Sequence, residues 1–194
     1  MSDDFMKSAL DRAMERADQI EIPEEKLKEM KYRSQGELIA AKFFKEPDYD
    51  IEIALNDFDV DSKQYVLKTV ESVLLQNIIL PKKETDISNN QKAFQGLSSI
   101  KKDKNAIQQA REQLENLSNY YTQAIKQHYE QLKAQVEQMI AQTAQQQPGM
   151  DASRGLNAEQ IPEFQENWRQ ISAQLDAEYD KALDQLKQQI ASTR

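Results

Sequence analysis

The chain has 194 residues, 30% of them charged, with only four glycines, five prolines and a mean hydropathy of -0.83. This is the composition of a polar, helix-rich protein, long enough for one full core or for a small domain with an extension. It has no cysteine, which excludes disulfides, thiolate nucleophiles and thiolate-held zinc or iron-sulfur centres and fits a reducing compartment. The net charge of -8 is uneven: residues 1–80 hold 18 acidic and 11 basic residues, the rest 15 and 14. Such an acidic N-terminal part repels phosphate backbones and anionic lipid, so neither nucleic acid nor a membrane surface is an expected partner.

The opening residues lack a basic region followed by an apolar stretch, so no signal peptide is expected. The most apolar run, residues 65–80, is short and carries Lys68, Glu71 and Gln76, which rules it out as a bilayer span. The expected setting is therefore cytoplasmic. A first helix is predicted from about Asp3 to Gln19, capped by Ser2, with Met6, Ala9, Leu10, Ala13, Met14 and Ala17 on one face. Pro23 suits the start of a second helix, which continues through Leu27, Met30, Leu38 and Ala41 until Glu46 meets Pro47, with Gly36 as its weak point.

Asp50 is placed to cap a short helix holding Ile53, Ala54 and Leu55. Asp57, Asp59 and Asp61 then mimic the opening of a calcium loop, but Ser62 stands where the loop needs glycine and Lys68 where it needs glutamate. The plainer reading is that Asp59 or Asp61 caps the next helix, Ser62 to about Ile79, stopped by Pro81. Its apolar residues cover more than one face, so neighbours must surround it. Asp86 is a plausible cap for a further helix with Phe94, Leu97 and Ile100 on its apolar face. A break near residue 102 and a continuous helix both remain open.

The second half carries two long stripes. Ile107, Ala110, Leu114, Leu117, Tyr121, Ile125, His128, Leu132, Val136, Met139 and Thr143 fall at a mean spacing of 3.6 residues. Ile161, Phe164, Trp168, Ile171, Leu175, Tyr179, Ala182, Leu186 and Ile190 do the same. The run Gln145-Gln-Gln-Pro-Gly-Met-Asp-Ala-Ser-Arg-Gly155 between them is the strongest turn signal in the chain. The expected fold is all-α: an acidic helical head over residues 1–101, then a long antiparallel hairpin over 102–194 with its turn near 145–160. A spacing of 3.6 suits nearly straight helices. A turn centred near Ala152 would place Leu132 near Leu175, His128 near Tyr179, and let the first helix overhang at Ile107 and Ala110. A third helix or a second copy of the chain is expected to cover the hairpin. Gln123, Gln127, Gln131, Gln135, Gln138, Gln142 and Gln145 flank the stripe with neutral amides.

The phrases Lys7-Ser-Ala-Leu-Asp-Arg-Ala-Met-Glu-Arg16, Gly36-Glu-Leu-Ile-Ala-Ala-Lys-Phe-Phe44, Leu74-Leu-Gln-Asn-Ile-Ile-Leu-Pro81 and Lys92-Ala-Phe-Gln-Gly-Leu97 resemble a bacterial helical family of unknown function. The resemblance covers roughly residues 1–100. It implies a bacterial source and a helical fold and carries over no ligand or catalytic residue; the Gln-rich second half is where the chain would depart from it.

No motif demands a chemistry. His128 is the only histidine and lacks the glutamate three residues earlier that a helix-bundle carboxylate site needs, and no phosphate-binding glycine loop exists. No cofactor, metal or catalytic residue is expected. His128 reads as a seam residue bonded to Tyr179, with a pH-sensitive contact as the alternative. Trp168, Tyr179, Tyr121, His128 and Tyr129 are the residues available for an interaction surface. The leading expectation is a non-catalytic interaction or scaffold protein with the hairpin as spacer or homodimerisation arm. An acidic chaperone or export adaptor gripping a basic or amphipathic helix, and a small-molecule or enzymatic role around Phe43, Phe44, Tyr65 and Phe94, are the alternatives.

Overall fold

The computed structural model describes residues 23–146 and 157–193, and among these there are six α-helices and no strand. The predicted first helix and the core of the predicted turn lie outside the described residues. Contacts divide the chain into two compact units, 1–73 and 74–194.

In the first unit α1 (Glu24–Lys45) starts behind Pro23, with Glu24 and Glu25 in its first turn and Lys42 and Lys45 in its last, each sign matched to the helix dipole. Glu46 is extended ahead of Pro47, which ends it. Asp50 caps α2 (Ile51–Asn56), accepting from the backbone N–H of Glu52 at 2.8 Å and of Ile53 at 3.1 Å. Asp59 caps α3 (Val60–Gln76) by accepting from the Ser62 N–H at 2.8 Å, so of the calcium-like aspartates Asp57 closes α2 while Asp59 and Asp61 open α3. Ile39, Ala40, Phe43, Ile51, Leu55, Val66 and Val70 form the core. Gly36 is buried within α1, and a Cβ there would stand 2.6 Å from the Thr69 Cβ.

The third helix ends at Gln76, three residues before the expected Ile79. The Asn90 side chain takes both backbone groups of Ile79, accepting from its N–H at 2.9 Å and donating to its carbonyl at 2.7 Å, so extended backbone there is fully bonded. Asp86 reaches back from inside α4 (Glu84–Ile100) to the N–H groups of Lys82 and Lys83. Of the two arrangements left open near residue 102, the break is the one found. Lys101 leaves the helix, and Asp103 caps α5 (Lys104–Gln146) by accepting from the Ala106 N–H at 3.0 Å. The helix α4, grouped with the head in the sequence reading, belongs to the second unit, where it packs against α5.

At 43 residues α5 is about 65 Å long. Its partner α6 (Pro162–Ser192) opens with proline after a short 3-10 turn at Ala158–Gln160. Tyr121 meets Tyr179, Tyr129 meets Trp168 and Lys133 meets Glu159, so the two helices run antiparallel. The buried and half-buried positions of α5 include 107, 110, 114, 118, 121, 125, 129, 132, 136 and 140, a series stepping 3-4-4, with 106, 111, 117, 124 and 133 half-buried beside it. Those of α6 include 161, 164, 168, 172, 175, 179, 183, 186 and 190, with the same steps. This is an 11-residue repeat of about 3.67 residues per turn, which disfavours the left-handed winding of a heptad seam.

Three expectations need correction. Facing residues have numbers summing to about 297, not 305, as Tyr129 against Trp168 and Tyr121 against Asp176 show. Leu132 therefore clusters with Phe164 and Ala158 instead of Leu175. The hairpin is flush where Ile107 faces Ile190, and the overhang is at the other end, where α5 runs ten residues beyond the level of Ile161. The physical cause is an asymmetric connection: the chain returns beside Lys133 before α6 begins. His128 is exposed and its neighbour Tyr129 is the seam residue, because the 4-residue step falls there; Met139 is exposed for the same reason, and Thr143 because it lies in the overhang.

Candidate functional site

The second unit contains a groove of about 380 Å³ between α4 and α5. Pro81, Ile87, Phe94 and Leu114 give it an apolar floor, and Asn90, Gln91, Arg111, Glu115, Ser118, Asn119 and Thr122 surround them. Local sequence explains the opening. Position 118 of the seam is serine where its neighbours in the repeat are large, and Ile87 faces outward from the first turns of α4, 48% exposed.

Most polar groups around the floor are already engaged. Ser118 Oγ donates to the Leu114 carbonyl at 2.7 Å and Thr122 Oγ1 to the Ser118 carbonyl at 2.9 Å. Arg111 Nε donates to Glu115 Oε1 at 3.3 Å along the wall. The amides of Gln91 and Asn119, both exposed, remain as the neutral hydrogen-bonding groups at the rim. Such a surface suits an uncharged or amphipathic ligand with one apolar projection.

Two polar clusters flank the hairpin seam. The Tyr121 hydroxyl donates to Asp176 Oδ1 at 2.5 Å while Lys82 Nζ donates to Asp176 Oδ2 at 3.0 Å. The hydrogen bond from Tyr121, then that from Lys82, holds the Asp176 carboxyl below its ordinary range. Burial, then the neighbouring carboxylate, pushes the Tyr121 phenol up, and the hydrogen bond to Asp176 raises Lys82. The second cluster repeats the chemistry: Lys133 Nζ donates to Glu159 Oε1 at 2.8 Å, which lowers Glu159, and the phenol of Tyr129 is raised chiefly by its bond to the same carboxylate. In both, the acid is held ionised and the phenol and ammonium protonated. The hydrogen bonds of each cluster tie separate elements together: Lys82 and Tyr121 to Asp176, and Lys133 to Glu159.

The structure brings four of the five sequence-selected residues into the seam. Tyr121 packs edge-on against Tyr179 at 5.3 Å, and Tyr129 against Trp168 at 5.0 Å and Phe164 at 5.5 Å. His128 stands apart, exposed. Sequence reading missed Lys82, Asp176, Lys133 and Glu159, along with the whole groove. The acids sit next to seam positions, Asp176 after Leu175 and Glu159 after Ala158, and that adjacency is the signal available. Among the described residues no group of three or more His, Cys, Asp or Glu is arranged to hold a metal ion, and no helix is long and apolar enough to cross a membrane.

Comparison with known families places this arrangement. The chain matches a family of unknown function, DUF6657, over residues 52–192. The chain belongs to that family. The match takes in the third helix, the groove and the entire hairpin, so the Gln-rich half lies inside the family, contrary to the expected departure there. No curated protein and no solved structure matches the chain.

Proposed function

We propose that this member of the family is a non-catalytic scaffold of the bacterial cytoplasm, with the α5/α6 hairpin as spacer and the α4/α5 groove as the place where a protein segment is recognised. The observation that supports this most is a contrast within one unit. The hairpin seam is lined by buried or half-buried side chains from Ile107 to Val136 on one helix and from Phe164 to Ile190 on the other, while the groove beside it leaves Ile87 half exposed over an open apolar floor. A seam lined in this way favours a spacer over a dimerisation arm, since among the described residues no second apolar stripe accompanies it. The net charge of -8 supports a protein segment over nucleic acid or an anionic membrane as the partner.

A photocrosslinking residue placed at Asn119 or Gln91 in living cells tests the reading, with Gln138 as the control site. Recurrent protein adducts at the first two sites and none at the third are expected. Absence of protein adducts at the groove would remove the scaffold reading. The groove volume also lies within the range of small-ligand pockets, roughly 300–1,000 Å³, which supports a small-molecule-binding alternative. Thermal stabilisation by a metabolite, abolished by Ser118→Phe, is the result that would favour it.

A further inference from the structure

The helix α1 is two-faced. One side is spent on the core of its unit through Gly36, Ile39, Ala40 and Phe43. The other presents Leu27, Met30 and Leu38, which are 50%, 61% and 56% exposed, with Ala41 also exposed. On a helical wheel Leu27, Lys31, Ser34 and Leu38 fall in one line three turns long, about 16 Å.

The charge around this stripe is opposite to that of the protein. Within a chain of net charge -8, α1 carries six basic and four acidic residues. At 100° per residue Lys31, Lys42 and Lys45 fall within about 60° of Leu27, with Lys28 further round. Glu29 lies on the opposite side and pairs with Lys68. Glu24 and Glu37 are the acids that border the stripe, and Glu37, seven residues after Met30, is paired with Arg33.

We infer that the outer face of α1 is a docking surface for an acidic amphipathic helix of a partner protein. Its leucines would cover Leu27, Met30 and Leu38 and its carboxylates would face Lys31, Lys42 and Lys45. This surface is independent of the α4/α5 groove and stands or falls separately from it.

The test uses the full chain and a fluorescent 18-residue helical peptide bearing leucine every three or four positions and glutamate beside them. A lysine-flanked version of the peptide and phosphatidylglycerol vesicles serve as comparisons. The glutamate peptide should bind, at least tenfold more weakly after Leu27→Ser/Leu38→Ser and after Lys31→Glu/Lys45→Glu, and more weakly as salt rises. The charge-reversed variant should prefer the lysine peptide. All four positions are exposed, so circular dichroism should be unchanged in both variants. Binding that ignores the leucine substitutions overturns the proposal, as does binding of vesicles alone. Binding that occurs only after residues 1–22 are removed does so too, since the face would then belong to the chain's own N-terminal segment.

Discussion

Replacing Gly36 with alanine sets two effects of opposite sign against each other. By intrinsic propensity the change should help, because glycine inside a helix costs about 0.8–1 kcal/mol relative to alanine. Against it stands the crossing with α3, where the new Cβ would meet Thr69 Cβ at 2.6 Å, Thr69 Cγ2 at 2.9 Å and the Val66 carbonyl oxygen at 2.9 Å. Carbon atoms at rest lie about 3.5–4.0 Å apart, so the helices must separate by roughly 1 Å, and a gap of that size forfeits a quarter to a half of the dispersion at each loosened contact. Neither Val66 O nor Thr69 Cβ is the far end of a flexible side chain, so neither can swing away. The cost therefore belongs at the upper end of the overpacking range, about 3 kcal/mol. The net expectation is a loss of about 2 kcal/mol, read by urea denaturation followed by circular dichroism, with a fall in Tm of roughly 4–8 °C. Ser34→Ala, exposed on the same helix, should leave stability within about 0.5 kcal/mol. A Gly36→Ala protein as stable as the parent would refute the close crossing.

Lys101 is buried, and its ammonium donates to the carbonyls of Ala191 at 3.2 Å and Thr193 at 2.7 Å, so Lys101→Met should destabilise the second unit by about 2–3 kcal/mol in the same assay. Tyr121→Phe keeps the ring against Tyr179 but removes the donor to Asp176, with an expected loss of about 1–2 kcal/mol at pH 7. The folded-state carboxyl of Asp176 is depressed, so its contribution is full above the unfolded carboxyl value and is lost as pH falls through the folded one. The gap between Tyr121→Phe and the parent should accordingly narrow below about pH 4, and a gap that widens in acid would contradict the assignment. Because there is no native cysteine, a short bis-maleimide can read the hairpin register: Leu132→Cys/Phe164→Cys should link, while Leu132→Cys/Leu175→Cys, some 16 Å further along α6, should not.

Local signals were readable wherever one residue settles an element's end. Asp50 and Asp59 cap, Pro47 stops and Pro23 starts a helix, all through atoms within a few residues of the event. The groove was not readable, because Ile87 and Gln91 come from one helix and Leu114, Ser118 and Asn119 from another. No spacing within either stretch distinguishes a groove wall from an ordinary solvent face. Lys101 was hidden for a related reason: in sequence it is one of several lysines in a charged link, and only the returning end of α6 makes it a cap.

The hairpin register shows where periodicity stops carrying information. Sliding one helix past its partner by seven or eight residues, about two turns, presents the same stripe, so sums of 305 and 297 are equivalent to any test of spacing. Only layer-specific partners separate them: Tyr121 with Asp176, Tyr129 with Trp168 and Lys133 with Glu159 each occur once. The same degeneracy moved the seam from Tyr129 to His128. Spacings of 3.6 and 3.67 agree at Ile107, Ala110, Leu114, Tyr121, Ile125, Leu132 and Val136 and part at one position in each 11-residue repeat, at 117 or 118, 128 or 129 and 139 or 140. At the last two pairs Tyr129 is half-buried and His128 exposed, and Ile140 half-buried and Met139 exposed, whereas Leu117 and Ser118 are both half-buried and share the seam. Ser118, the small member of that pair, is the one that lines the groove, so the site opens where the seam is shared between two positions.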